Sequence, residues 1–191
     1  MPIKNTEKDY GSIAKWLHWG TALLFLAAYC AVYYRQWFTE RQTDENWTAL
    51  QLHLSFGVSI GVLVVLRIIW RFMNQQPRIC PGPAWQVKGA HLGHFLLYVM
   101  MVGMVFTGYT GTGAPTEFFF LFDIPKFEDT AMLAPLMDLL GVTYEQYEET
   151  ADFLHKELGG EWLVWLLILG HAAAALYHHF VVKDRTLKKM L

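Results

Sequence analysis

Four stretches of the chain contain no aspartate, glutamate, lysine or arginine: Trp16–Tyr34, Trp47–Leu66, Gly89–Tyr109 and Trp162–Val182. A bilayer is crossed by a helix of roughly 20 apolar residues, and each stretch is long enough. Charge is scarce overall: 17% of the 191 residues are charged and 54% hydrophobic, which is too apolar for a soluble domain of this size. Buried helices of a soluble all-α protein rarely run this long without charge. Cysteine is scarcer still, at two residues: Cys30 inside the first stretch and Cys80 in a loop. No disulfide is expected between a thiol within the membrane and one in a loop at its surface. The first stretch exceeds a signal-peptide core and has no small-residue cleavage site after Tyr34, so it reads as a retained span.

These features predict an all-α membrane protein of one domain, residues 1–191. It is a four-transmembrane-helix bundle with spans at about 13–36, 47–72, 88–110 and 158–182. The long segment between spans three and four should carry short amphipathic helices. One is an apolar pattern over Thr130–Leu140, interrupted by Pro135 and stopped by Gly141. Another carries Tyr144, Tyr147, Ala151, Phe153, Leu154 and Leu158 and runs into Gly159-Gly160. These helices read equally as a cap over an outer site and as an interfacial anchor.

The net charge of −2 hides an asymmetry. Arg67, Arg71, Arg78 and Lys88 flank the second loop, and Lys183, Arg185, Lys188 and Lys189 fill the C-terminal tail. The first loop and the long third loop are acidic, the third holding Glu117, Asp123, Glu128, Asp129, Asp138, Glu145, Glu148, Glu149, Asp152, Glu157 and Glu161. Positive residues stay inside. Both termini are therefore expected in the cytoplasm, with the first and third loops on the far side, the periplasm if the source is a Gram-negative bacterium.

Histidine is the unusual presence. His18, His53, His94, His171 and His178 all fall inside the charge-free spans. Ionisable residues in hydrocarbon are costly and mark function. Imidazoles projecting inward from several helices are how bundles hold cofactors, and haem iron with two axial histidines suits them. No Cys-x-x-Cys-His motif is present, so covalent haem attachment is not expected. No cysteine or acid accompanies the histidines as in mixed zinc sites. Counting residues from the span ends places His18 and His94 near the inner face. It places His53 and His171 towards the outer face. His178 follows His171 by seven residues, roughly 10.5 Å of helix, too close for a second haem. It remains the alternative ligand to His94 as partner of His18. Arg71, His91, His179 and Lys183 gather at the basic end, where a quinone could sit.

The segments KWLHWG (15–20), HLSFGVSIGVLVVLRIIWRF (53–72), AHLGHFLLY (90–98) and GHAAAALYHHFVVKDRTLKKM (170–190) resemble the bacterial cytochrome b561 family over nearly the whole chain. The likeness is nearest to its small di-haem branch, which includes a superoxide oxidase. It implies a bacterial inner-membrane protein with two haem b groups, ubiquinone as acceptor and superoxide or another outer donor. It is more distant to the cytochrome b subunits of hydrogenases and formate dehydrogenases, where span four ligates both haems. The seven-residue spacing of His171 and His178 speaks against that pattern here. Lipid and a protein redox partner are the remaining expected partners, and nucleic acid is not expected. Two other functions fit four spans with histidines: an anchor subunit passing electrons between quinone and a dehydrogenase, and a transporter moving protons or metal.

Overall fold

In the computed structural model, which describes residues 2–80 and 82–191, the first three spans are the helices α1 (Ser12–Phe38), α2 (Asp44–Met73) and α3 (Ala84–Thr110). Thr43 caps α2, accepting a hydrogen bond from the Asn46 amide at 3.2 Å, and Asp44 and Glu45 in its first turn complement the helix dipole. The fourth span is one helix of 39 residues, Tyr144–Val182, called α5 below. A short helix α4, Leu133–Leu140, precedes it and ends at Gly141, whose φ of +66° continues the chain in the left-handed region. Pro135 lies in the first turn of α4, where its missing N–H costs no helical bond.

Two features of the third loop differ from expectation. The amphipathic segment is no separate helix but the start of span four. A capping box fixes this start, Thr143 bonding the Gln146 amide and the Gln146 side chain bonding back to Thr143. The Gly159-Gly160 pair does not break the helix. It lies within a stretch wound wide as a π-helix, Phe153–Leu163, a form that recurs at functional sites. The other addition is a β-hairpin, with β1 (Thr116–Phe118) antiparallel to β2 (Phe122–Ile124) and Glu117 opposite Asp123.

Ala28, Ile60, Val64, Met100, Met101 and Val164 form the buried core, contributed by all four long helices. Leu23, Val62, Leu166 and Phe180 point outward and are exposed, as the lipid-facing side of a membrane bundle requires. The N-terminal residues from Asn5, the C-terminal tail and residues 74–80 meet at one end of the bundle. There the Asn5 side chain donates to Gln75 O at 3.0 Å, Arg185 pairs with Asp9, and the Trp19 indole donates to Met190 O at 2.9 Å. This is the basic end. The hairpin, α4 and the start of α5 lie at the opposite, acidic end.

Candidate functional site

His53 on α2 holds its ring Nδ1 2.9 Å from the carbonyl oxygen of Ala28 on α1. His155 on the wide-wound part of α5 repeats the contact, with Nδ1 2.9 Å from Met104 O on α3 and 3.4 Å from the Thr107 hydroxyl. A carbonyl only accepts, so each Nδ1 carries the proton and donates it. Each Nε2 is then left with a free lone pair, the state of a metal-bound neutral imidazole. The two rings stand 6.1 Å apart between centroids, with planes crossed at 78°. Two metal–nitrogen bonds of about 2 Å each, plus about 1 Å from each nitrogen to its ring centre, also sum to roughly 6 Å. The donors, tautomers and spacing fit one iron between two imidazoles.

Glycine makes this approach feasible at two positions. A Cβ on Gly108 would lie 2.6 Å from His155 Cε1, and one on Gly159 would lie 2.4 Å from Met104 Sδ. Side chains at either place would push α5 and its histidine away from α3.

A second cluster lies towards the basic end. The His171 ring is 6.1 Å from that of His18 and 5.6 Å from that of His94. Arg67 enters from α2, with Nη2 3.4 Å from His18 Nδ1 and the guanidinium 5.5 Å from the centre of the Tyr98 ring. It is half-buried, and among the described residues no carboxylate pairs with it. An uncompensated charge in such a place is costly, and it fits the carboxylates that a haem carries on one edge.

His53 is level with Ala28, whereas the second cluster is level with His18, ten residues earlier on α1. At the helical rise the two clusters are about 15 Å apart along the bundle. The structure therefore brings His18, His94 and His171 together and sets His53 apart from His171. Because α5 begins at Tyr144 rather than near residue 158, His171 lies well along the helix, at the level of His18. His155 occupies the level of His53. It escaped the sequence reading because Asp152, Lys156 and Glu157 surround it, which disguises that part of the span as loop. Two signals could have found it: the Thr143-x-x-Gln146 capping box, and its place sixteen residues before His171, which leaves room for two clusters on one helix.

His178 joins neither cluster. Its Nδ1 contacts the Asp184 carboxylate. Burial alone would raise the Asp184 carboxyl, but its bonds to the Thr186 amide and to His178 hold it below the usual carboxylate range. The remaining residues singled out at the basic end are placed as follows. Arg71 lies 5.7 Å from the Tyr98 ring centre and bonds Gln76 Oε1 at 3.3 Å. His91 is exposed near the start of α3, and Lys183, also exposed, ends α5 with φ +59°. His179 Nδ1 is buried with no hydrogen-bond partner among the described residues.

Comparison with known proteins gives the same direction. The sequence profile of the family described as Prokaryotic cytochrome b561 matches residues 9–191. Cytochrome b561 homolog 2 of Escherichia coli K12 is 30% identical, covering 100% of this chain and 95% of the relative. Cytochrome b561 homolog 1 of the same organism is 29% identical, over 92% and 93%. The probable superoxide oxidase CybB of Yersinia pestis is 26% identical over 97% of both chains. With four apolar helices and clustered imidazoles, the chain belongs to the prokaryotic cytochrome b561 family of transmembrane, haem-binding electron-transfer proteins.

Proposed function

We propose that the protein carries single electrons along the bundle through two haem b groups, from a donor at the acidic end to a quinone at the basic end. The observation that carries this reading is the stacking of two histidine clusters about 15 Å apart along α1, each with one member on α5. His53 and His155 hold one haem. His171 with His18 holds the other, at the same 6.1 Å spacing. His94, at 5.6 Å, is close enough to His171 to be the second candidate. If His94→Ala loses a haem and His18→Ala keeps both, the partner is His94. Haem b, when bound, supplies a one-electron carrier. The chain's own residues do the rest: the carbonyls of Ala28 and Met104 fix ring orientation and tautomer, and Arg67 places a positive charge beside His18.

A positive charge favours the electron-rich state of whatever it faces. A unit charge acting over about 6 Å at an effective dielectric constant near 20 contributes roughly 3 kcal/mol. For one electron that is on the order of 100 mV, an upper figure for a half-buried group. Arg67→Gln is expected to lower the midpoint potential of the basic-end haem by tens of millivolts and to leave the other unchanged. Redox titration followed at the haem absorption bands measures both.

The positive-inside rule assigns the basic end to the cytoplasm of a bacterium and the acidic end to the periplasm. The quinone, ubiquinone in this reading, would sit among Arg71, His91, His179 and Lys183. Arg71→Ala and Lys183→Ala are expected to slow quinone reduction without altering the haem spectrum. Unchanged quinone kinetics in both variants would remove those residues from the site.

The donor in this reading is superoxide. Two superoxide anions each give up one electron and leave as dioxygen, and one quinone takes up two electrons and two protons. The likeness to a probable superoxide oxidase supports it. A second reading is favoured by the acidic loop end, which repels an anion. In it the chain is an anchor subunit exchanging electrons with a partner dehydrogenase. Anaerobic mixing of the purified protein with superoxide, then with ubiquinone, separates the two: reduction followed by reoxidation supports the first. No reduction by superoxide, with a dehydrogenase copurifying, supports the second.

A further inference from the structure

The β-hairpin offers an apolar tip that the described residues leave more than half uncovered. Phe120, Leu121 and Phe122 are 52%, 78% and 56% exposed. The hairpin does not stand above the bundle but runs down along α2. Trp47 Nε1 donates to Glu117 Oε1 at 3.0 Å, Gln51 Nε2 donates to Pro115 O at 3.0 Å, and the Phe119 amide donates to Ser55 Oγ at 2.9 Å. The polar level of α2 is marked by Asn46, which bonds Arg35 in the last turn of α1 and Thr39 just after it. Ser55 is nine residues further along, about 13 Å deeper by helical rise. The hairpin thus reaches alongside the charge-free part of α2.

Non-helical backbone at membrane depth is tolerated only where protein or a water-filled cavity covers its polar groups, not where they face lipid. The hairpin meets that condition along β1 and the turn, the edge packed against α2. Strand pairing serves its inner edge. The fully buried Gln51 side chain serves β1 like a neighbouring strand, with Nε2 on Pro115 O and Oε1 accepting from the Glu117 amide at 2.7 Å. Ser55 takes the Phe119 amide, and the turn closes on itself through Phe120 N to Glu117 O and Leu121 N to Phe118 O. Phe119 and Phe120 adopt φ of +46° and +60°, a conformation that glycine or asparagine adopts at less cost. Both positions carry phenylalanine despite that cost. Glu117 turns back towards Trp47 and Asp123 lies opposite it in the strand pairing, so both charges stay at the level of the aromatic belt while the tip runs deeper.

We propose that Thr116–Ile124 is a re-entrant hairpin whose tip, Phe120–Leu121–Phe122, lies among the lipid acyl chains of the leaflet at the acidic end. Its partner is the hydrocarbon of the bilayer, and Gln51 and Ser55 make the insertion possible by completing the hairpin's hydrogen bonds.

Site-directed spin labelling tests this in the full haem-loaded protein reconstituted in phosphatidylcholine vesicles. The background is Cys30→Ser with Cys80→Ser, and labels are placed singly at Leu121→Cys, at Val62→Cys on the lipid face of α2, and at Glu149→Cys on the exposed start of α5. An unaltered haem spectrum certifies each variant as folded. The label at 121 is expected to behave like that at 62: accessible to dissolved oxygen and shielded from a water-soluble nickel chelate. Access to nickel matching position 149 would overturn the proposal. So would shielding from both reagents, the signature of contact with a second protein copy.

Discussion

Replacement of His155 by alanine is expected to leave the protein with one haem b instead of two. His171→Ala is expected to give the same stoichiometry but to lose the other group. The reason is geometric. His155 supplies the only imidazole ring found facing His53 among the described residues, while His171 faces His18 and His94. Loss of one axial ligand from a buried pair removes both a bond and the ring that fills the space. Haem content by the pyridine haemochrome method gives the number. Identity follows from combining variants: adding Arg67→Gln shifts the potential of the haem that survives in His155→Ala, and leaves that of the haem surviving in His171→Ala unmoved. Two retained haems in His155→Ala would remove His155 from the ligand set.

Gly108→Ala should have nearly as large an effect without touching a ligand. The added Cβ would lie 2.6 Å from His155 Cε1 and 3.0 Å from its Nδ1. The same edge of the ring is held against α3 by the bond from Nδ1 to Met104 O, so relief requires breaking that bond or moving the wide-wound turn of α5. Disturbing the hydrogen-bond partner of a ligating histidine typically weakens metal binding 10–100-fold. The expected outcome is selective depletion of the acidic-end haem, with normal membrane insertion and an intact basic-end haem. Gly103→Ala is the control, because a Cβ there meets nothing within 4 Å. Equal haem content in both variants would show that the His155 ring has freedom the packing denies it.

The sequence exposes some parts of this protein and hides others for physical reasons. The four spans were legible because hydrocarbon tolerates almost no charge, and the windows from Trp16, Trp47, Gly89 and Trp162 carry none. His18, His53, His94 and His171 stood out against that background. His155 did not, because it lies among acids where α5 projects towards the acidic loops. Apolar counting therefore stopped short of it. The same truncation displaced His171 in depth and suggested the wrong neighbour for His53. The π-wound turn around Gly159 was illegible, since two glycines ordinarily mark a break. The hairpin was hidden as well: its run of five apolar residues, Phe118–Phe122, lacks the glycine or asparagine that usually announces a tight turn. Its stability comes from Gln51 and Ser55, more than sixty residues away in sequence.

The number of b-type haems per chain is the most direct measure of the central claim, that one bundle holds two bis-histidine haems stacked along its axis. Purified protein, quantified by amino-acid analysis and pyridine haemochrome, is expected to hold two haems per chain, with low-spin spectra and two potentials separable by redox titration. One haem per chain, or a high-spin spectrum showing an open axial position, would contradict it.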